Sequence, residues 1–249
     1  MKNSNGIDVD AKVVKEIVGI VNDSIGDRIK EDVRKQRLRT QNSTPTRIWD
    51  LLNTSLCEHF ESDDCMSYIT KRGPWQMVML FEKKSGFLFT FMREKRFAQL
   101  AQDSKRKNMH YLDMLTRHLN SDLQGSQNQM SLFEKRFNDQ DQLQEAIDKL
   151  LKDLHKDDAI IQRHILVLFE SSHYVLNSVR AVMIDSNLDI VAEVDWSEHI
   201  VAEESTIVGY TSGTSVMDSP TRGLKLTKKA AERKRTNPLK ESKEGVKAK

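Results

Sequence analysis

Glu82-Lys83-Lys84 puts a carboxylate and an ammonium two residues apart at the end of an apolar run, with Asp63 and Asp64 upstream. Two carboxylates can hold Mg²⁺, and a lysine beside them can stabilise developing charge, so Asp64, Glu82 and Lys84 spell the parts of a Mg²⁺-dependent nuclease. Glu-x-Lys is also common by chance in a chain that is 31% charged, and here it enters a turn. A solvated hairpin tip is the plainer reading.

The second chemistry is phosphate contact. Arg93, Lys95, Arg96, Lys105, Arg106 and Lys107 lie within fifteen residues, beside Phe91 and Phe97. Cations neutralise phosphates and aromatic rings stack on bases, so this mixture suits nucleic acid. Lys228, Lys229, Arg233, Lys234 and Arg235 add a second cationic run. From Arg222 to Lys249 there are eleven Lys/Arg against three Glu, a balance of +8. The whole chain carries +2, which leaves −6 for residues 1–221. An exposed helix and a solubilising extension are the bland alternatives for the two runs.

Other constellations fall short. The seven histidines, His59, His110, His118, His155, His164, His173 and His199, contain no His-x-x-x-His and no zinc quartet. Gly209 to Thr214 is glycine-bearing but lacks the Lys-Ser/Thr of a phosphate loop, and there is no Gly-x-Ser-x-Gly elbow. Cys57 and Cys65 form no CxxC, and two thiols in 249 residues fit a reducing compartment. No apolar run approaches the ~18 residues of a membrane helix, and no apolar stretch follows Met1 as in a signal peptide. A cytoplasmic protein with no membrane contact is expected.

The elements that must position these residues are legible from periodicity. Val13, Val14, Ile17, Val18, Val21, Ile25, Ile29 and Val33 recur at helical steps, which predicts one helix from Asp10, its cap, to Arg39, weakened at Gly26. Pro45 opens a second helix that runs to about Glu61. Met66 to Thr70 reads as a short strand, Gly73-Pro74 as a turn, and 75–92 as a hairpin closed by Lys83 to Gly86. Helices are predicted over 93–155, the last from about Asp139 to His155. Strands follow over 164–195, with Leu188, Ile190, Ala192 and Val194 as the apolar face of the last. Thr206 to Tyr210 reads as an edge strand.

The segment Phe87-Leu88-Phe89-Thr90-Phe91-Met92-Arg93-Glu94-Lys95-Arg96-Phe97 and the stretch Ile190 to Ile200, with Asp195-Trp196-Ser197, resemble an uncharacterised bacterial family, a domain of unknown function. The resemblance spans Pro45 to Ile200. It implies a bacterial or mobile-element origin and supplies no active site.

The expected fold is α+β: an antiparallel sheet built from two hairpin regions with several helices packed on one face, in a single body over 1–211, followed by a disordered basic tail over 212–249. The expected function is a non-enzymatic interaction protein with a nucleic-acid or protein partner, needing no cofactor. The alternatives are the nuclease, with Mg²⁺ as its cofactor, and a protein-only regulator or subunit whose N-terminal valine/isoleucine stripe meets a partner helix. Composition does not fix the oligomeric state.

Overall fold

The N-terminal apolar stripe is buried in the protein's own core. In the computed structural model, which describes residues 6–201 apart from 38, 63, 73, 104, 105, 107, 124–139, 157 and 158, Val14, Ile17, Val18, Val21 and Ile25 are buried on α1 (Ala11–Ile25). The Asp10 carboxylate accepts from the Lys12 N–H at 3.0 Å and starts this helix. Gly26 (φ −87°, ψ −105°) leaves the helical region, so the expected single helix is two, α1 and α2 (Asp27–Gln36). Ile29 on α2 stays buried. The break lets both segments wrap α3 (Thr44–His59), whose first turn holds Pro45. Arg28 of α2 reaches Ser55 and Glu58, and Asp32 accepts from Arg47, which ties α2 to α3. The stripe therefore leaves no free apolar face on α1 for a partner helix.

Among the described residues a seven-stranded sheet follows the chain in simple order: β1 (Glu61–Ser62), β2 (Cys65–Arg72), β3 (Trp75–Glu82), β4 (Phe87–Arg93), β5 (Arg163–Ser172), β6 (Val175–Ile184) and β7 (Ile190–Asp195). Between β4 and β5 lie α4 (Glu94–Gln102), α5 (Tyr111–Leu119), α6 (Gln140–Leu150) and α7 (Lys152–Lys156). These helices carry the chain back to the end where β4 began. β4 and β5 are therefore parallel, in register from Phe87↔Arg163 to Arg93↔Phe169, while every other neighbouring pair is antiparallel. The fold is α+β with a mostly antiparallel sheet.

Helices cover both faces, not one. Val78, Leu80, Phe89, Ile165, Val167 and Ala181 meet α1–α3, while Met79, Phe81, Leu88, Leu166, Leu168 and Val182 meet α4–α7. The central strands are apolar on both sides, and such strands need two covering layers. The last predicted helix also divides, with Leu151 buried between α6 and α7. On β7 the expected apolar face is only half covered. Leu188 is buried, but Ile190 and Val194 are exposed, because β7 is the last strand of the sheet. A 3-10 turn, Ser197–His199, follows, and buried Trp196 closes against Phe89.

Gly86 fixes the β3–β4 turn. Its φ is +71°, and an added Cβ would stand 2.6 Å from Gln162 Cγ. The Gln162 backbone is held close by its N–H, which donates to the Gly86 carbonyl at 2.8 Å, so its side chain must swing aside to relieve the contact. Gly86→Ala should cost about 2 kcal/mol in chemical denaturation, from left-handed strain plus the clash.

The described residues belong to one compact unit, Met1–Glu203. The predicted strand Thr206 to Tyr210 and the whole 212–249 segment lie outside the described residues. No helix among the described residues is long and apolar enough to cross a membrane.

Candidate nucleic-acid interface

Strand direction sorts the charges. β2 ends, β3 begins, β4 ends and β5 ends on one side of the sheet. That side holds Lys71 and Arg72 of β2, Arg93 of β4, and Lys95 and Arg96 in the first turn of α4. Lys71, Lys95 and Arg96 are exposed and have no ion-pair partner among the described residues. Arg93 is half-buried at the N-cap of α4, where its side chain makes no capping bond. Burial lowers its guanidinium below its ordinary value, with no counter-charge to offset the loss of water.

Cations at a helix start oppose the macrodipole, so Lys95 and Arg96 gain nothing from α4 itself. Glu94 is the acid of that first turn, and Arg180 of β6 already binds it while also binding Glu193. The pairing lifts Arg180 above its ordinary value, with the Glu94 hydrogen bond as the largest cause. What remains at the start of α4 is uncompensated positive charge.

The opposite side of the sheet gathers acids. Glu61, Asp64, Glu82, Asp185 and Asp189 sit at strand ends there and outnumber Lys83, Lys84 and Arg163 of the same end. Asp189 is raised above its usual value by burial and by Asp185. A cleft of about 1010 Å³ opens at this side, lined by Asp8, Asp10, Glu82, Lys84, Ser85 and Arg163 among others. The nuclease parts are near it but are bound elsewhere. Glu82 is 3% exposed and accepts from the Ser85 hydroxyl. Lys84 Nζ donates to Asp10 at 3.1 Å, which raises the lysine and, together with the Lys12 N–H, holds the Asp10 carboxyl below its usual range. Asp64 lies beside this strand end and accepts the Lys83 N–H on its backbone carbonyl at 2.9 Å. Among the described residues no group of three or more His, Cys, Asp or Glu is placed to hold a metal ion.

Arg106 serves a local structure. Its Nη2 donates to both Asp113 oxygens, at 2.6 and 2.7 Å, and Asp113 in turn accepts the His110 N–H at 2.7 Å. That capping box starts α5. Lys105 and Lys107 lie outside the described residues, as do Lys228, Lys229, Arg233, Lys234 and Arg235.

His164 is fully buried, with Nε2 2.8 Å from Thr90 Oγ1. Burial drives its pKa down to about 3, so it is neutral. Both cysteines are free, and burial pushes the Cys65 thiol up to about 12, with Glu82 as the next cause. Neither group is a nucleophile or a metal ligand as placed.

Sequence reading passed over Lys71, Arg72 and Trp75. The signal was present in Lys71-Arg72-Gly73-Pro74-Trp75, two cations and an aromatic flanking a turn. The topology then puts that turn on the same side of the sheet as Arg93. No curated protein and no solved structure matches the chain. One family matches residues 7–243, a span that contains the whole sheet, both ends just described and most of the basic C-terminal run. Over that span the chain belongs to the Family of unknown function (DUF5986).

Proposed function

We propose that this protein binds nucleic acid through the cationic side of its sheet, as a non-enzymatic interaction protein. One observation carries the reading: Lys71, Arg93, Lys95 and Arg96 share one side of the sheet and none is neutralised by a described acid. Unpaired cations placed against a helix dipole cost stability, and a phosphate at that position reverses the sign of both terms. The acidic opposite side repels a polyanion and so directs it to the cationic one. The basic run from Lys228 to Arg235 adds a separate source of phosphate contacts.

The test is fluorescence anisotropy with a labelled oligonucleotide on the full chain. Binding should weaken steeply between about 50 and 200 mM salt. The triple variant Arg93→Ala, Lys95→Ala, Arg96→Ala should lose about ten- to hundredfold in affinity and show a shallower salt slope. Its thermal midpoint should hold, since none of the three makes an ion pair with a described residue. Binding unchanged in the triple variant refutes this interface, and no binding at low salt refutes the function.

A further inference from the structure

The sheet carries an arm. β3 is paired with β4 only from Leu80 to Glu82, opposite Phe89 to Phe87. Trp75 to Met79 continue with β2 as their one sheet neighbour, in register from Arg72↔Trp75 to Tyr68↔Met79. The base of this two-stranded ribbon is anchored. Tyr68 and Met79 are buried against α5 and α6, and Thr70 Oγ1 donates to the Leu150 carbonyl at 3.1 Å. Its tip is not covered: Trp75 is 62% exposed.

Trp75 alternates in phase with Met77 and Met79. It therefore belongs to the face of the sheet on which α4 packs through Phe97 and Leu100. Arg72 lies directly across from it in register. The exposed indole thus shares both the side and the face of the sheet with Lys95 and Arg96.

We infer, resting on the reading of this side as a nucleic-acid interface, that the ligand is single-stranded and that Trp75 at the arm's tip is the platform on which an unpaired base stacks. An indole face left in water is an unused stacking surface, and every base has a matching π-face. A duplex hides those faces inside its own stack, whereas a single strand presents them. The phosphates next to the stacked base fall to Lys95 and Arg96 on the same face, which give no sequence preference.

The experiment uses the full chain and a labelled oligonucleotide of roughly 15 nucleotides, as DNA and as RNA, each both single-stranded and as a blunt duplex. The expected result is tighter binding of the single strands at about 150 mM salt, with indole fluorescence quenched on binding. Trp75→Ala should weaken single-strand binding about tenfold or more and abolish most of the quench, while leaving duplex binding and the salt slope unchanged. Trp75→Phe should retain most of the affinity. A Trp75→Ala protein that binds single strands as the parent does, or that loses single strand and duplex alike, overturns the inference and leaves the interface standing. A parent protein that binds neither form overturns both.

Discussion

Between pH 7 and pH 5 the protein should lose about 2 kcal/mol of folding stability through one imidazole, His164. The residue is fully buried between β4 and β6, and its pKa is driven from 6.5 to about 3 by desolvation. Its Nε2 shares a hydrogen bond with Thr90, and its Nδ1 has no partner among the described residues. A folded-state pKa below the unfolded one means that the unfolded chain takes up the proton first. Stability is therefore complete above about pH 6.5 and falls as the pH drops toward 3. Asp10 and Asp32, both held below their ordinary 3.8 by hydrogen bonds, add their loss only in stronger acid. The check is a series of urea midpoints from pH 7.5 to 4.5 for the parent and for His164→Gln, which is neutral throughout. The parent's curve should fall more steeply by about 2 kcal/mol at pH 5, and parallel curves would show that His164 titrates freely.

His164 also marks how far the sequence could be read. Ile165 to Phe169 spells a strand buried on both faces, and that is what β5 is. The same logic applied to Phe87 to Met92 demands helices on two sides of the sheet. The expectation of one covered face joins the two hairpin regions into a wholly antiparallel sheet, whereas the helices between them form a crossover that makes β4 and β5 parallel. Helix existence was legible at every long periodic segment, and the breaks at Gly26 and Leu151 were harder. Gly26 announces a weakness without saying whether the chain bends or restarts. Leu151 carries no breaker at all, because the break lets Leu150, Leu151 and Leu154 all reach one core.

The candidate site was legible only in part, for a different physical reason. Charge and aromatic content are local, whereas pairing is tertiary. Arg93, Lys95, Arg96 and Arg106 look alike in a linear count. Only the fold shows that Arg106 is held by Asp113 while Lys95 and Arg96 have no ion-pair partner among the described residues. Likewise Glu82 and Lys84 satisfy a spacing, but the lysine belongs to Asp10, seventy-four residues away. Trp75 reads as the first residue of a strand, and that is its place in β3. That it lies at the uncovered tip of a two-stranded ribbon follows from the short β3–β4 register, which no local pattern encodes.

Asn120→Asp should destabilise the protein by about 4 kcal/mol at pH 7, a large share of a typical domain's stability. Asn120 is fully buried at the C-cap of α5, a position that the sequence reading gave to a helix and to no site. Its Nδ2 donates to the His164 carbonyl at 2.9 Å and to the Ile184 carbonyl at 3.0 Å, while its Oδ1 accepts the His164 N–H at 3.0 Å. One amide thereby satisfies three backbone groups and clasps the start of β5 to the end of β6 from the α5 side. Aspartate has nearly the same shape but replaces two donors with an acceptor. At pH 7 a buried carboxylate would face two carbonyl oxygens, unpaired and repelled. The substituted carboxyl should therefore be pushed up, and its folded-state pKa should exceed the unfolded value. Below the unfolded pKa both states are protonated, one O–H can bond one carbonyl, and part of the loss returns. The variant's deficit should thus shrink on going from pH 7 toward pH 4, while the His164 effect moves both proteins in the opposite direction. Asn120→Ala separates charge from hydrogen bonding: it leaves the two carbonyls and also the His164 N–H unmet without adding a carboxylate, so its deficit of about 2–3 kcal/mol should not depend on that ionisation. Urea midpoints for the three proteins at pH 7 and pH 4.5 decide the matter, and an Asp variant as stable as the parent at pH 7 would mean the clasp does not hold the sheet.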